Sequence, residues 1–162
     1  MKQIILYDSA TGNTEYLAKA LSHALPNVPC GPVGSLDCSK AELVYLGFWT
    51  DKGTADQACL ELLGRLRNKK IFLFGTAGFG GSEAYYQKIL ANVRTAIDAS
   101  NTVVGEYMCQ GRMPQAVRDR YVKMKEMPDA KPNLDALIEN FDQALSHPDQ
   151  EDMERLRRMI TG

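Results

Sequence analysis

The sequence lacks any long run of apolar residues, and this absence limits what the protein can be. A membrane-spanning helix needs roughly 20 consecutive apolar residues, and no stretch of the chain approaches that length. The short apolar run near the N-terminus is followed by a turn and a polar helix, without the small residues of a cleavage site. We therefore expect no membrane span and a cytoplasmic protein.

An excess of one charge is also missing. The chain has 19 basic and 20 acidic residues, which leaves a formal net charge of -1. This balance provides no basic surface for nucleic acid, so we expect no nucleic-acid partner.

The four cysteines have no spacing that indicates a shared site. Cys30, Cys38, Cys59 and Cys109 form no C-x-x-C pair, which argues against a disulfide framework or a structural zinc site. Reduced, mostly buried thiols are expected instead.

Short apolar runs are present, and segments of helical period separate them. Four runs are nearly continuous in apolar residues, as in strands covered on both faces of a parallel sheet: Gln3–Tyr7 and residues 43–48, 71–74 and 102–108. A weaker fifth strand lies within residues 28–33, where Pro29, Gly31 and Pro32 indicate a short edge strand.

Amphipathic helices are predicted between and after these strands. Their apolar stripes lie within residues 17–25, 55–66, 89–97 and 134–145. Thr54 precedes the second stripe and is followed three residues later by Gln57, the spacing of a capping box, and Ser82 precedes the third stripe. The alternation implies one α/β domain over residues 1–162: a doubly wound, parallel, five-stranded sheet in the order 2-1-3-4-5, with helices on both faces.

Two further helical segments are predicted in the C-terminal part of the chain. Within about residues 110–130, an apolar stripe of Val117, Tyr121 and Met124 lies beside a cluster of basic residues. Within residues 149–162, acidic residues at the start and basic residues at the end complement a helix dipole, and Met153, Leu156 and Ile160 form its predicted inner face. We expect both additions to pack at the sheet edge, and a docking surface for a redox partner is the alternative.

The loop that leaves the first strand is the strongest candidate for a ligand site. In an open α/β sheet, ligands bind beyond the carboxyl ends of the strands where the strand order reverses, here between the first and third strands. The loop surrounds one glycine with hydroxyl and amide side chains: Ser9, Ala10, Thr11, Gly12, Asn13 and Thr14. The following helix N-terminus favours an anion. A turn that only caps the helix is the alternative.

The composition of this loop narrows the kind of phosphate site. It contains no lysine or arginine and does not match G-x-x-x-x-G-K-[ST], so a nucleoside triphosphate site is not expected. The pattern G-x-G-x-x-G is also missing after the first strand, which argues against a dinucleotide site. A phosphate held by neutral donors and the helix dipole is therefore predicted.

At these residues the sequence resembles the flavodoxin family, whose phosphate loop reads T/S-x-T-G-x-T. The match is complete, and the resemblance extends with decreasing clarity to about Gln110. It implies a flavodoxin-like fold, flavin mononucleotide (FMN) as the cofactor, and electron transfer to a redox partner protein or a small-molecule acceptor. After the fifth strand the chain departs from the family pattern, since about twenty residues precede the helix at Leu134.

The same resemblance implies which segments hold the flavin ring. The loop after the third strand, Phe48, Trp49, Thr50, Asp51, Lys52 and Gly53, contains the only tryptophan, an indole that we expect against one ring face. The glycine-rich loop after the fourth strand, Thr76, Ala77, Gly78, Phe79 and Gly80, should contact the pyrimidine end. Gln110, Gly111 and Arg112 follow the fifth strand and could reach the flavin or a substrate above it. Alternatively, Trp49 is a core residue, Phe79 belongs to a simple turn and Lys52 is a solvated charge.

These residues favour a flavodoxin-like electron carrier over two alternatives. No catalytic residue or metal site is predicted, because no acid–base pair stands out and His23 and His147 lie outside the predicted loops. The first alternative is an FMN-dependent reductase of a quinone, a tetrapyrrole or another small acceptor, or the flavin subunit of a reductase system. The second is an interaction module that has lost its cofactor, against which the complete phosphate loop argues.

Overall fold

The protein is a three-layer α/β sandwich whose strands and helices alternate along the chain. The computed structural model describes residues 1–79, 82–130 and 132–161. In chain order the elements are β1 (Gln3–Tyr7), α1 (Asn13–Ala24), β2 (Cys30–Pro32), β3 (Leu43–Asp51), β4 (Thr54–Ala55), α2 (Gln57–Arg65), β5 (Lys70–Ala77), α3 (Glu83–Arg94), β6 (Thr102–Gln110), α4 (Gln115–Lys125), α5 (Leu134–Ala144) and α6 (Gln150–Thr161).

The long strands form a parallel sheet in the order β2-β1-β3-β5-β6. The register places Ile5 opposite Tyr45 and Leu46 opposite Leu73. Strand β4 pairs only with the end of β3, in the antiparallel direction, and takes no place in this order. When the five parallel strands are numbered without β4, their order is the predicted 2-1-3-4-5. The strand order therefore reverses between β1 and β3, as predicted.

Strand β3 is longer than predicted, and this corrects the predicted loop over residues 48–53. Residues 48–51 continue β3, where Thr50 and Asp51 pair with β4 in a short hairpin. Lys52 and Gly53 form its tip with φ angles of 53° and 84°, the left-handed conformation that hairpin turns require. The apolar pattern ends at Phe48, so it gave no sign of this extension.

The start of helix α2 also differs from the prediction. Thr54 belongs to β4, so it cannot cap the helix, and the predicted capping box with Gln57 is wrong. The N-cap is Asp56, whose carboxylate accepts a hydrogen bond from the backbone N–H of Cys59. By contrast, the position of Ser82 is confirmed, because its hydroxyl accepts a hydrogen bond from the backbone N–H of Tyr85 at the start of α3.

Two apolar cores cover the two faces of the sheet. On one face, Leu46 and Leu73 pack among residues of α2 and α3 such as Leu63 and Ile89. On the other face, Ile5 and the neighbouring strands pack against α1 and α6. This burial explains why the strands contain near-continuous apolar runs.

Glycine and phenylalanine alternate across β3 and β5 near the carboxyl ends of these strands. Gly47 lies opposite Phe74, and Phe48 lies opposite Gly75. A Cβ atom at Gly47 would lie 2.4 Å from the Phe74 ring, and one at Gly75 would lie 2.3 Å from the Phe48 ring. The absence of a side chain at both glycines lets the two buried rings fill the space beneath the predicted site.

The predicted C-terminal helices are present, but they do not simply extend the sheet edge. The first helical addition was predicted to begin at about residue 110, but Gln110 is the last residue of β6. Helix α4 has no buried residue and packs against α5, with an Arg118–Asp142 ion pair between them. Helix α6 lies beside α1 on a sheet face, where Leu156 is completely buried.

Among the helices of the described residues, none has the length and apolar character needed to cross a membrane.

Candidate functional site at the carboxyl edge of the sheet

A cleft of about 240 Å³ opens at the carboxyl ends of β3 and β5. It lies next to the point between β1 and β3 where the strand order reverses, the position at which open α/β sheets bind ligands. Three segments line it: Ala10 and Thr11 of the first loop; Trp49, Thr50, Thr76, Ala77 and Gly78 at the strand ends; and Gly111, Arg112, Met113 and Pro114 after β6. The sequence-predicted residues of the first two segments are therefore brought together.

The first loop is shaped by Gly12, which caps helix α1. Its φ of 88° is left-handed, a conformation that glycine adopts without strain. The Gly12 backbone N–H donates to the hydroxyl of Ser9 over 3.0 Å. This contact closes the turn and directs the loop into the N-terminus of α1, where unpaired backbone N–H groups favour an anion.

Thr14 lies beneath this loop, shielded from the solvent. Its side chain is completely buried. Its hydroxyl lies 3.1 Å from the carbonyl oxygen of Phe48, to which it donates, and 3.1 Å from the hydroxyl of Thr76. Thr14 thus joins the start of α1 to the ends of β3 and β5.

Asn13 and Thr11 connect the same loop to the segment after β6. The Asn13 amide nitrogen donates to the backbone carbonyl of Arg112 over 2.8 Å, and the Thr11 hydroxyl lies 3.5 Å from the same oxygen. Asn13 is 7% exposed. Its Oδ1 is buried and has no hydrogen-bond partner, so the site holds a polar atom that protein groups leave unsatisfied.

A second cavity adjoins the loop on the side of Asn13. It has a volume of about 280 Å³ and is lined by Gly12, Asn13, Tyr16, Arg112, Leu145, Ser146, His147 and Pro148. Arg112 lines both this cavity and the cleft. Arg112 is exposed, so this residue brings a positive charge close to both spaces.

Trp49 is held at one side of the cleft by hydrogen bonds. Its indole Nε1 donates to Oδ2 of Asp8 over 3.1 Å, and its backbone N–H donates to Oδ1 of Asp56 over 3.2 Å. The neighbouring Thr50 hydroxyl donates to the backbone carbonyl of Thr76 over 2.8 Å. These contacts fix the indole at a strand end that faces the cleft.

The carboxyl group of Asp56 has an unusual environment. The residue is 1% exposed, and desolvation by burial, followed by the interaction with the Asp8 carboxyl group, raises the pKa of Asp56 to about 7. Burial and the nearby carboxyl groups raise the pKa of the Cys59 thiol. A buried carboxyl group with a raised pKa therefore accepts the hydrogen bond from the Trp49 backbone N–H.

The tip of the β3–β4 hairpin lies outside the lining of the cleft. Asp51 pairs with Thr54, and the Gly53 carbonyl accepts a hydrogen bond from the Asn92 amide over 2.8 Å. Lys52 is exposed beside it. Phe48 is completely buried in the core. Thus only Trp49 and Thr50 of the six residues predicted in this segment reach the cleft.

The glycine-rich segment after β5 is anchored by residues from distant elements. The Gln110 and Asn140 amide nitrogens each donate to the Gly78 carbonyl over 3.1 Å, and Gln110 also donates to Oδ1 of Asn140. Phe79 is 39% exposed and makes an edge-on contact with Tyr85. Gly80 lies outside the described residues.

Comparison with known proteins identifies the family. A family model described as Flavodoxin domain matches residues 4–161. The chain belongs to the flavodoxin family. Two curated relatives are each named "Flavodoxin-like domain-containing protein BilS": one from Clostridium symbiosum is 37% identical, with 99% of this chain and 94% of the relative aligned, and one from Clostridioides difficile is 29% identical, with 94% and 90% aligned.

Solved structures support the same flavodoxin fold. The flavodoxin of Streptococcus pneumoniae has a TM-score of 0.56 and 16% identity, with 99% of this chain and 96% of that one covered. A Lactobacillus acidophilus flavoprotein, determined in complex with FMN, has a TM-score of 0.53 and 14% identity, with 67% of this chain and 93% of that one covered. At these identities the comparisons establish the fold.

Met113 and Pro114 line one side of the cleft and were not predicted from the sequence. The neighbouring Gly111 and Arg112, which were predicted together with Gln110 as able to reach the flavin, also line it. A Cβ atom at Gly78 would lie 2.7 Å from the Met113 sulfur, so Met113 packs directly over Gly78. Asp8 was also missed, and its position directly before the phosphate loop was the available signal.

One cluster of titratable groups lies at the start of α6. His147 Nδ1 is 2.7 Å from Oδ2 of Asp152 and 3.7 Å from Asp149. Asp149 and Asp152 also accept hydrogen bonds from each other's backbone N–H groups, as reciprocal helix caps do. These contacts show that the cluster forms the N-terminal cap of helix α6 in this flavodoxin.

Proposed function

We propose that this flavodoxin binds FMN in the cleft at the carboxyl edge of the sheet and acts as an electron carrier. The proposal depends chiefly on one observation: Trp49 and the first loop line the same cleft beside the reversal of strand order. This arrangement offers a flat aromatic wall and an anion-binding helix N-terminus at one site. The FMN complex of the Lactobacillus acidophilus flavoprotein shows that a protein of similar fold accepts this cofactor.

The residues of the first loop fit a phosphate group. The N-terminus of α1 supplies backbone N–H groups and the positive end of a helix dipole. Gly12 leaves the approach open, since a Cβ atom there would have no neighbour within 4 Å. Thr11 provides a hydroxyl whose contact with Arg112 is long, at 3.5 Å. Arg112 adds the positive charge that the loop itself lacks.

The rest of the cleft fits a flat ring with polar edges. Trp49 would cover one face of an isoalloxazine, and Met113 lies on the other side of the cleft, above Gly78. Sulfur and aromatic groups make favourable contacts. Backbone groups of residues 76–78 stand at strand ends where a ring edge can approach them. We infer that Met113 provides the second wall that an aromatic residue was expected to provide.

Bound FMN would supply the electron chemistry, while the protein controls its orientation and access. Thr14 holds the loop against β3 and β5 through its hydrogen bonds to Phe48 and Thr76. Asp8 orients the Trp49 indole. Met113 and Pro114 line the cleft from the segment after β6. Each of these residues therefore positions the binding surface before the cofactor arrives.

A reductase of a small acceptor, or the flavin subunit of such a system, is the second candidate. In flavodoxins a glycine-containing peptide beside the ring turns over on reduction, yet Thr50 follows Trp49 here. The Gly53 carbonyl is engaged by Asn92 at the hairpin tip. The position of this glycine, away from Trp49 and held at the hairpin tip, is the observation that supports the second candidate.

The visible spectrum and stepwise photoreduction of the purified protein test these proposals. Flavin absorption bands, or their appearance after FMN is added, are expected for both candidates. Reduction in two separate one-electron steps supports the carrier. A direct two-electron reduction, together with turnover of NAD(P)H and a quinone, supports the reductase. A colourless protein that does not take up FMN would refute both.

A further inference from the structure

The cavity beside Asn13, rather than the cleft, adjoins the N-terminus of α1. Gly12 and Asn13, the cap and the first residue of this helix, line the cavity but are not among the residues that line the cleft. The first turn of this 12-residue helix leaves backbone N–H groups without helical partners and lies at the positive end of the helix dipole. An anion attracted to this helix end therefore enters the cavity.

The side chains that line this cavity are basic or neutral. Arg112 and His147 are the titratable bases, and among the described residues no aspartate or glutamate lines it. The backbone of Arg112 is engaged by its neighbours, but in the part of the chain that the structure describes its guanidinium has no hydrogen bond or ion pair. Tyr16 and Ser146 add hydroxyl groups. This lining fits an anion that accepts hydrogen bonds.

His147 is held through its Nδ1 atom, which leaves Nε2 available to a ligand. Nδ1 lies 2.7 Å from Oδ2 of Asp152 and 3.7 Å from Oδ2 of Asp149. Asp152 is 4% exposed, and a carboxylate only accepts hydrogen bonds, so Nδ1 is the donor. The two ring nitrogens face widely different directions, and no described residue bonds to Nε2. A buried carboxylate thus orients an imidazole whose second nitrogen is unused.

Hydrogen bonds fix these residues around the helix end before a ligand arrives. The Arg112 backbone N–H donates to the His147 carbonyl over 3.0 Å, and the Asn13 amide nitrogen donates to the Arg112 carbonyl over 2.8 Å. Asn13 is 7% exposed, and its Oδ1 atom has no hydrogen-bond partner. Because buried polar atoms without a partner are rare, this atom indicates that a group from outside the protein completes the site.

We propose that this cavity receives the phosphate group of FMN, with Nε2 of His147 and the guanidinium of Arg112 as its charged ligands and Asp152 as the residue that positions the imidazole. Phosphate oxygens accept hydrogen bonds, so Nε2 contacts them as a donor, in the imidazolium form. A flavin whose ring lies in the cleft and whose phosphate lies at the end of α1 passes Arg112, which lines both spaces. This inference depends on the FMN binding proposed above.

The alternative is that His147 only helps to cap α6. Asp149 and Asp152 already cap this helix through each other's backbone N–H groups, so the imidazole is an additional partner of Asp152. Two substitutions separate the roles. The asparagine amide nitrogen lies as many bonds from Cβ as Nδ1 does, so His147→Asn retains a donor toward Asp152 and removes Nε2. The glutamine amide nitrogen corresponds to Nε2, so His147→Gln retains a neutral donor toward the cavity.

Dissociation constants of FMN and riboflavin, measured by titration at one pH, give the first test. We expect His147→Asn to bind FMN about tenfold more weakly than the wild type, the effect of one lost hydrogen bond to a charged group. His147→Gln should bind FMN about threefold more weakly, because its donor is uncharged. Riboflavin, which has no phosphate, should bind all three proteins equally. His23→Gln is the matched control, since His23 is exposed at the opposite end of α1, and it should bind FMN as the wild type does.

Nuclear magnetic resonance of labelled histidine rings gives a second test on the wild-type chain. The chain contains two histidines, and the signals of His23 are identified by their absence in His23→Gln. The His147 signals should shift when FMN is added at constant pH and should not respond to riboflavin, whereas the His23 signals should respond to neither. This measurement decides alone if His147→Asn does not fold, as judged by circular dichroism.

Two results would overturn the proposal while leaving FMN binding in place. One is unchanged FMN affinity in a folded His147→Asn, and the other is a set of His147 signals that do not respond to FMN. Failure of the wild type and of His23→Gln to bind FMN would instead refute the proposed function.

Inorganic phosphate separates the phosphate of FMN from an unrelated anion. In the flavin-free protein it should shift the His147 signals, and saturating FMN should abolish this shift, because both phosphates occupy one site. A response to inorganic phosphate that persists at saturating FMN would assign the cavity to a different anion and contradict the proposal.

Discussion

The side-chain amide of Asn13 donates a hydrogen bond over 2.8 Å to the backbone carbonyl of Arg112, a residue 99 positions further along the chain. This contact fastens the segment after β6 onto the first loop. It brings an exposed arginine to a loop that contains no basic residue of its own. The charge balance of the site therefore depends on two segments that are remote in sequence.

Replacement of Arg112 should weaken FMN binding through charge alone. We expect Arg112→Gln to raise the dissociation constant for FMN about threefold, because exposed charge pairs contribute less than about 1 kcal/mol. The difference should shrink as salt is added. Riboflavin, which lacks the phosphate, should bind both proteins equally. Arg120→Gln, an exposed arginine on α4, is the control and should leave FMN binding unchanged.

The two threonines of the first loop should behave differently when each is replaced by valine. Thr11→Val should reduce FMN affinity about tenfold, the effect of one lost hydrogen bond to a charged group, with little change in the melting temperature. Thr14→Val should instead destabilise the fold by about 1–2 kcal/mol, because its buried hydroxyl bonds to Phe48 and Thr76. FMN titration and chemical denaturation of both variants measure the contrast. Equal loss of stability in the two variants would contradict it.

The Gly75 position should not tolerate even one methyl group. A Cβ atom there would lie 2.3 Å from the Phe48 ring, so Gly75→Ala should destabilise the protein by about 1–3 kcal/mol through overpacking. Gly64→Ala is the matched control, since Gly64 lies in α2 with no atom within 4 Å of an added Cβ. There we expect stabilisation of up to about 1 kcal/mol. Urea unfolding measures both changes.

The raised pKa of Asp56 predicts how stability depends on pH. Its folded pKa of about 7 lies above the unfolded value of about 4. The folded state therefore keeps the proton longer, and the stability contributed by this proton is full below pH 4 and is lost as the pH rises through 7.

Relative to Asp56→Asn, the wild-type protein should thus lose on the order of 2 kcal/mol of unfolding free energy between pH 5 and pH 8. Denaturation curves of the two proteins across this range measure the difference. Glu61→Gln, which removes an exposed carboxylate on the same helix, should follow the wild type. Parallel curves for the wild type and Asp56→Asn would show that Asp56 titrates normally.

Much of the fold was predictable because it depends on local patterns. The apolar runs located the main strands, and the stripe at residues 89–97 located α3 behind Ser82. The end of β3 was not predictable in this way. Residues 49–51 are polar or amphipathic, and their strand conformation comes from pairing with β4 through a turn at Lys52 and Gly53.

The candidate site was predictable in its first loop, at the strand ends, and at Gly111 and Arg112, which directly follow a strand. Ser9 and Gly12 form a turn whose chemistry is contained in six consecutive residues, so its position was evident from sequence. Met113 reaches the cleft because α4 and α5 form an extra unit after β6 and because Asn13 holds that segment in place. Such long-range contacts leave no periodic pattern in the sequence.

Titration of FMN into the flavin-free protein, followed through Trp49 emission, tests the central claim most directly. If the phosphate lies on the first loop and the ring lies against Trp49, emission should be quenched to saturation at one FMN per chain, and riboflavin should bind at least tenfold more weakly since it cannot engage the helix N-terminus. Unquenched Trp49 emission at saturating FMN, or riboflavin binding as tightly as FMN, would contradict the account.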